Sequence, residues 1–127
     1  MARYVVDTTF LIDYLRDDPV AIERFRRFFE EGDNVLVNEI VVCEARVGLT
    51  AAQVPELMSM LLPLEFIQPG PEAALNAGRW RDESRRAGRV LSLGDALIAA
   101  AADASDAIVL TRNVRDFAQT PVRVESY

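Results

Sequence analysis

The chain contains no histidine, no lysine and a single cysteine. Without histidine there is no imidazole acid–base chemistry and no histidine-rich metal site. All fourteen basic residues are arginine, which excludes Schiff-base chemistry and the lysine of a phosphate-binding loop. Cys43 alone can form no intrachain disulfide and no zinc knuckle, and on an apolar stretch it reads as a small core residue. No apolar run approaches the ~20 residues that span a bilayer, and the first residues lack the charged and apolar blocks of a signal peptide. A soluble cytoplasmic protein without membrane contact is expected. What is present is 127 residues, half of them hydrophobic, enough for one cored domain over 1–127. The net charge of −6 argues against a broad basic face for nucleic acid. That argument weakens if clustered carboxylates hold divalent cations, which present positive charge in use.

Short β-branched runs alternate with helical periodicity. Arg3 to Val6 predicts a first strand, and Thr8 or Thr9 can cap a helix through Phe10, Leu11, Tyr14 and Leu15. Pro19 starts a second helix, Val20 to Glu31. Val35 to Val37 predicts a strand, Glu39 to Val47 a helix, Val54 to Leu62 another, and Glu65 to Ile67 a strand. A long helix runs from Glu72 to about Ala87, and an alanine-rich one from Leu93 to about Asp103. Strands at Ile108–Leu110 and 122–124 close the order. The alternation predicts an α/β fold in three layers, a short, mostly parallel sheet flanked by helices.

In such a sheet, ligands gather beyond the carboxyl ends of the strands. Asp7 follows the first strand directly, and Asn113 and Asp116 follow the strand ending at Leu110. Asp95 stands in the opening turn of the alanine-rich helix, and Glu44 lies in the helix after the second strand. Each also has a plainer reading. Asp7 is a turn or cap residue, although Thr8 and Thr9 already serve as caps. Glu44 pairs with Arg46, Asp95 completes a capping box with Ser92, and Asp116 caps a turn. Asp13, Asp17, Asp18, Asp33, Asp103 and Asp106 read as solvated or turn residues. Converging acids raise one another's pKa, and a fold tolerates this when cations neutralise them. Oxygen-only donors select Mg²⁺ or Mn²⁺ over zinc. One such ion, or two, can bind a phosphodiester oxygen and activate water with no imidazole present.

Four blocks in this order, "VVDTTFLIDYL", "VLVNEIVVCEARVGL", "LSLGDALIAAAA" and "IVLTRNVRDF", resemble a PIN-domain ribonuclease, specifically the VapC-type toxin of bacterial toxin–antitoxin pairs. The resemblance implies a PIN-like fold, a divalent-metal site and hydrolytic cleavage of RNA with water as nucleophile. It places Asp7, Glu44 and Asp95 at the three regular acids. Where many relatives carry a fourth Asp after Thr-Arg, this chain has Asn113, with Asp116 three residues on, so the count of one or two ions stays open. Thr9 occupies a place commonly filled by Asn or Ser and can orient a ligand or water. Arg112, beside the site, is a candidate phosphate contact. The resemblance further implies a homodimer and a cognate antitoxin whose amphipathic segment lies along an apolar groove.

The arginines at 79, 81, 85, 86 and 89 read either as a grip on the RNA backbone or as a helix face salted by Asp82 and Glu83. Two other function classes compete. A phosphoacceptor or dehalogenase-type domain also places an Asp after its first strand, but it needs a lysine this chain lacks. A catalytically weak or inactive PIN-like module, binding RNA or a partner, is kept open by the altered fourth acid.

Overall fold

The computed structural model describes residues 1–127, in the order β1 (Arg3–Val6), α1 (Thr8–Leu15), α2 (Pro19–Glu30), β2 (Asn34–Val37), α3 (Glu39–Val47), α4 (Val54–Leu61), β3 (Glu65–Phe66), α5 (Pro71–Arg86), α6 (Leu93–Ala104), β4 (Ile108–Leu110) and β5 (Val124–Glu125). Single 3₁₀ turns at Ala51–Gln53 and Val114–Phe117 complete it. The strands form one sheet in the order β3-β2-β1-β4-β5, and every pair is parallel. The expected α/β layering holds, with a sheet that is wholly rather than mostly parallel.

Strand burial follows from this topology. Val5, Val6, Leu36, Val109 and Leu110 are fully buried, because helices cover both faces and no alternation survives. Alanine does related work in α6, where Ala96, Ala99, Ala100, Ala101 and Ala102 are buried. Their small side chains let the helix approach the sheet, and Ala73 and Ala77 of α5 are buried where α5 packs along α6. On the other side Phe10 and Phe28 meet edge-on with centroids 6.0 Å apart.

The sheet order decides where a site can form. The chain lays β2 and β3 to one side of β1, then returns to lay β4 and β5 on the other. β1 and β4 pair with Val5 opposite Val109 and Val6 opposite Leu110, so the order reverses at their shared carboxyl end. That is the crevice where open α/β sheets bind ligands. The first residue past β1 is Asp7, whose amide donates to the Leu110 carbonyl at 3.3 Å.

Three expectations need correction. Cys43 is exposed rather than in the core. Helix α3 buries Val41 and Ala45, one turn apart, and Cys43 lies midway between them on the other side of the helix. Asp18 is the N-cap of α2, accepting from the amides of Val20 and Ala21. Asp13 is half-buried and takes part in a side-chain network. The terminal strands are also shorter or displaced: β3 stops at Phe66 and β5 covers Val124–Glu125.

Candidate active site

Asp7 is 4 % exposed and caps α1, its Oδ1 accepting from the Phe10 amide at 3.0 Å. Thr8 and Thr9, the expected caps, lie inside the helix and free their hydroxyls for other partners. The second carboxylate oxygen of Asp7 accepts from the hydroxyl of fully buried Thr111, just past β4. Thr111 Oγ1 in turn accepts from the Asn113 amide at 2.9 Å. Thr111 was not singled out from sequence; its nearness to Asp7 exists only through the β1–β4 pairing.

Burial pushes the Asp7 carboxyl up to about 6, against the two hydrogen bonds that favour its charged form, with the charges of Asp95 and Asp13 adding to the rise. Burial also raises Asp95, opposed by its contact with Ser92, and the charges of Asp116 and Glu44 raise it further. Asp95 is therefore within electrostatic reach of all three other candidate acids. Ser92 caps α6 and accepts from the Asp95 amide at 3.1 Å, the half of the expected capping box that forms.

Glu44 is exposed on α3 and does not pair with Arg46, whose guanidinium donates to the Leu49 carbonyl. Its Oε1 accepts from the Thr8 hydroxyl at 2.9 Å. The carboxylate lies against the first turn of α6, where position 94 is glycine. A Cβ there would stand 2.8 Å from Glu44 Oε1 and closer still to Oε2. Gly94, also not singled out from sequence, is the opening through which α3 and α6 bring their acids side by side.

Asp116 is exposed on the second 3₁₀ turn. Asn113 precedes that turn, and its side-chain amide donates to Thr9 Oγ1 at 3.3 Å. Arg112 is not free to meet a phosphate as the side chains stand. It donates to Asp13 at 3.1 Å and to both oxygens of Asp18 at 3.0 Å, and its guanidinium lies 4.5 Å above the Tyr127 ring. Tyr127 donates to Asp13 at 2.6 Å. Asp18 falls to about 2 because Arg112 and the α2 amides bind its charged form.

Asp7, Glu44, Asp95 and Asp116 thus share one edge, and none takes part in any of the molecule's ion pairs. No three of these carboxylates stand around a common point at ligating distance. Two of the four are held by hydroxyl donors, Asp7 by Thr111 and Glu44 by Thr8. The donor set, oxygen only and rich in charge, is of the kind that suits a hard divalent cation.

Residues 4–122 match the PIN domain family. The chain belongs to that family. It is 29% identical over 117 residues to Ribonuclease VapC19 of Mycobacterium tuberculosis, covering 92% of this chain and 94% of that protein. It is 26% identical to the tRNA(fMet)-specific endonuclease VapC of Salmonella typhimurium, over 100% of this chain and 99% of that protein. Among solved structures, a DNA-bound VapBC from Salmonella typhimurium superposes with a TM-score of 0.84 at 26% identity, over 99% of this chain and 98% of that one. The PIN fold and the four-block resemblance agree along nearly the whole chain.

Replacing Thr111 by Val tests the inner tether. The swap keeps shape but leaves the Asp7 carboxylate without its hydroxyl donor and the Asn113 amide without its acceptor. A loss of about 1–3 kcal/mol is expected. Thermal melts should show a larger loss at pH 8, where Asp7 is charged, than at pH 4.5.

Proposed function

We propose that the chain is a divalent-metal-dependent endoribonuclease and the toxin of a cytoplasmic toxin–antitoxin pair, acting as one PIN unit over 1–127. The observation that carries this reading is the set of four carboxylates, Asp95 and the three whose charge reaches it, unpaired with any arginine at the sheet's switch point. The VapC names of the relatives and the VapBC neighbour support it.

Asp7, Glu44 and Asp95 would hold Mg²⁺ or Mn²⁺, with Asp116 supplying charge and Asn113 a neutral oxygen. A bound divalent cation supplies the neutralising charge and Lewis acidity that phosphodiester hydrolysis by water requires. The chain's own residues fix the donors. Thr111 orients Asp7 and Thr8 holds Glu44, while Ser92 sets the first turn of α6 under Asp95. Thr9 and Asn113 together present a polar wall for a water or a phosphate oxygen. Arg112 acts at a remove, locking the α1–α2 corner to the strand end through Asp13 and Asp18. Water adds to phosphorus, the P–O3′ bond breaks, and a 5′-phosphate and a 3′-hydroxyl remain. An inactive binding module is the weaker reading, since Asp116 still brings its charge to Asp95 despite Asn113.

The antitoxin's amphipathic segment would lie in the groove between α1, α2 and α4. Tyr14, Phe25, Met60 and Pro63 line it, and Phe29 continues the aromatic row 5.0 Å from Phe25. Phe10, Leu11 and Phe28 lie in the core beneath, and Leu15 belongs both to the core and to the groove's lining. A homodimer completes the proposed assembly.

Purified protein given single-stranded and structured RNA should cleave with Mg²⁺ or Mn²⁺ and stop with EDTA, leaving 5′-phosphate ends. At a hundredfold excess over its Kd, Mg²⁺ should add about 2.7 kcal/mol, a rise of roughly 5–10 °C in melting temperature. Cleavage undiminished by EDTA would overturn the metal reading, as would a melting curve indifferent to Mg²⁺.

A further inference from the structure

The arginines of α5 divide into two groups. Arg79 pairs with Glu83, and Arg85 and Arg86 both pair with Asp82, as a salted helix face would have it. Arg81 and Arg89 have no carboxylate partner. Arg81 donates its Nε to the Leu91 carbonyl at 3.1 Å, and the Arg89 side chain makes no hydrogen bond. Arg81, Arg85 and Arg89 line one cleft of about 390 Å³ in which Asp82 is the only acid.

The local sequence explains the cleft. Positions 78, 81, 82 and 85 share a helix face. Gly78 leaves that face open, since a Cβ there would meet nothing within 4 Å. Helix α5 ends in a Schellman turn: Gly88 adopts φ +74°, and the Arg89 amide donates back to the Ser84 carbonyl at 2.9 Å. The chain thereby folds back and sets Arg89 opposite Arg81. Leu91, on the cleft floor, leads directly into Ser92 and the first turn of α6, which carries Asp95. Gln119 donates to the Val90 carbonyl at 3.1 Å and ties the cleft's rim to the loop that follows Asp116. The positive cleft and the acidic edge thus share one segment of chain.

Guanidinium forks match phosphate oxygens, and a protein of net charge −6 needs a local anchor for a polyanion. We infer that the Arg81–Arg85–Arg89 cleft is a second phosphate site, holding a flanking phosphate of the RNA strand whose scissile phosphate lies at the carboxylates. This rests on the ribonuclease reading and adds to it the direction in which the strand leaves the site.

The test measures RNA binding in an Asp95→Asn background, where the strand stays intact. Arg81→Gln with Arg89→Gln should weaken binding tenfold or more. It should also flatten the slope of log K against log salt by about 1.4, at ~0.7 for each lost contact with single-stranded RNA. Arg89→Gln alone, which removes no bond within the fold, should give about half of that change in slope. Gly78→Leu fills the cleft without altering charge and should also weaken binding. Arg26→Gln with Arg27→Gln makes the same charge change on α2 and should stay within twofold. With Asp95 intact, the Arg81/Arg89 variant should raise KM more than it lowers kcat on long RNA, and its penalty should vanish on a dinucleotide with a single phosphate. Equal losses in the α2 control, a neutral Gly78→Leu, or an undiminished penalty on the dinucleotide each overturn the inference. Should the unsubstituted protein prove to have no metal-dependent cleavage while the binding losses persist, the ribonuclease reading falls and the phosphate cleft stands.

Discussion

Replacing Asp7 by Asn is expected to stabilise the metal-free protein at pH 8 and to abolish RNA cleavage. Asp7 is buried and its pKa is about 6, some two units above the ordinary carboxyl value. The native state therefore binds more protons than the unfolded chain between about pH 4 and pH 6. The stability linked to this group is fully present below pH 4 and is lost as pH rises through 6, a fall of roughly 3 kcal/mol. Asn carries no charge to bury and equals Asp as an N-cap, so the Phe10 amide keeps its acceptor. Its side-chain amide can donate to Thr111 where the carboxylate accepted. Urea unfolding in EDTA should show the native protein weaker at pH 8 than at pH 5 and the variant nearly level. Adding Mg²⁺ should restore the native protein and leave the variant unmoved. Cleavage should drop by about 10³ or more, since one ionic ligand among a few is worth at least about 4 kcal/mol in the transition state. A variant less stable than the native protein at pH 8 would contradict the buried-charge account, and one that cleaves at the native rate would remove Asp7 from the site.

Which parts of the molecule were legible in the sequence follows from the strength and length of each local pattern. β1 and β4 have strong patterns of their own, and so the residues that follow them, Asp7, Asn113 and Asp116, could be placed at the sheet's carboxyl edge from the chain alone. Glu44 and Asp95, carried on helices, could be brought there only by the fold. β3 and β5 have two residues each, too few to show a period, and their ends slipped by one or two positions. The sequence weighed Asp7 as a cap against Thr8 and Thr9, and the cap reading holds: Oδ1 caps α1 while Oδ2 accepts from Thr111 at the strand end. Capping occupies Oδ1 alone.

The larger omissions are contacts between distant parts of the chain. Thr111 reaches Asp7 across 104 positions, and Arg112 reaches Asp18 across 94. Nothing local in "LTRN" distinguishes a threonine that steadies a carboxylate from one that ends a strand. Nor does it show that the adjacent arginine turns to Asp13 and Asp18. The arginine-only composition was legible, but its use was not. Most guanidiniums answer nearby acids, and the four acids of the site are left without one.

Gly94 is where packing and chemistry meet, and Gly94→Ala should separate them. Alanine is favoured over glycine within a helix by about 0.5–1 kcal/mol, so α6 itself should tolerate the change or gain from it. The added methyl would overlap the Glu44 carboxylate, the far end of a flexible side chain, so the carboxylate swings away while the backbone stays. A displacement of about an ångström at a reacting centre costs on the order of 10²-fold, and cleavage should fall by about that much with the melting temperature unchanged or higher. Because the methyl acts only through Glu44, Gly94→Ala should add almost nothing in a Glu44→Gln background, a strongly non-additive cycle. Glu44→Asp, shorter by one methylene, should regain part of the activity in the Gly94→Ala protein while lowering it in the native one. Metal affinity read from the Mg²⁺-dependent melting shift should follow the same order. Additive losses, or full activity in Gly94→Ala, would mean that Glu44 does its work from somewhere other than the mouth of α6.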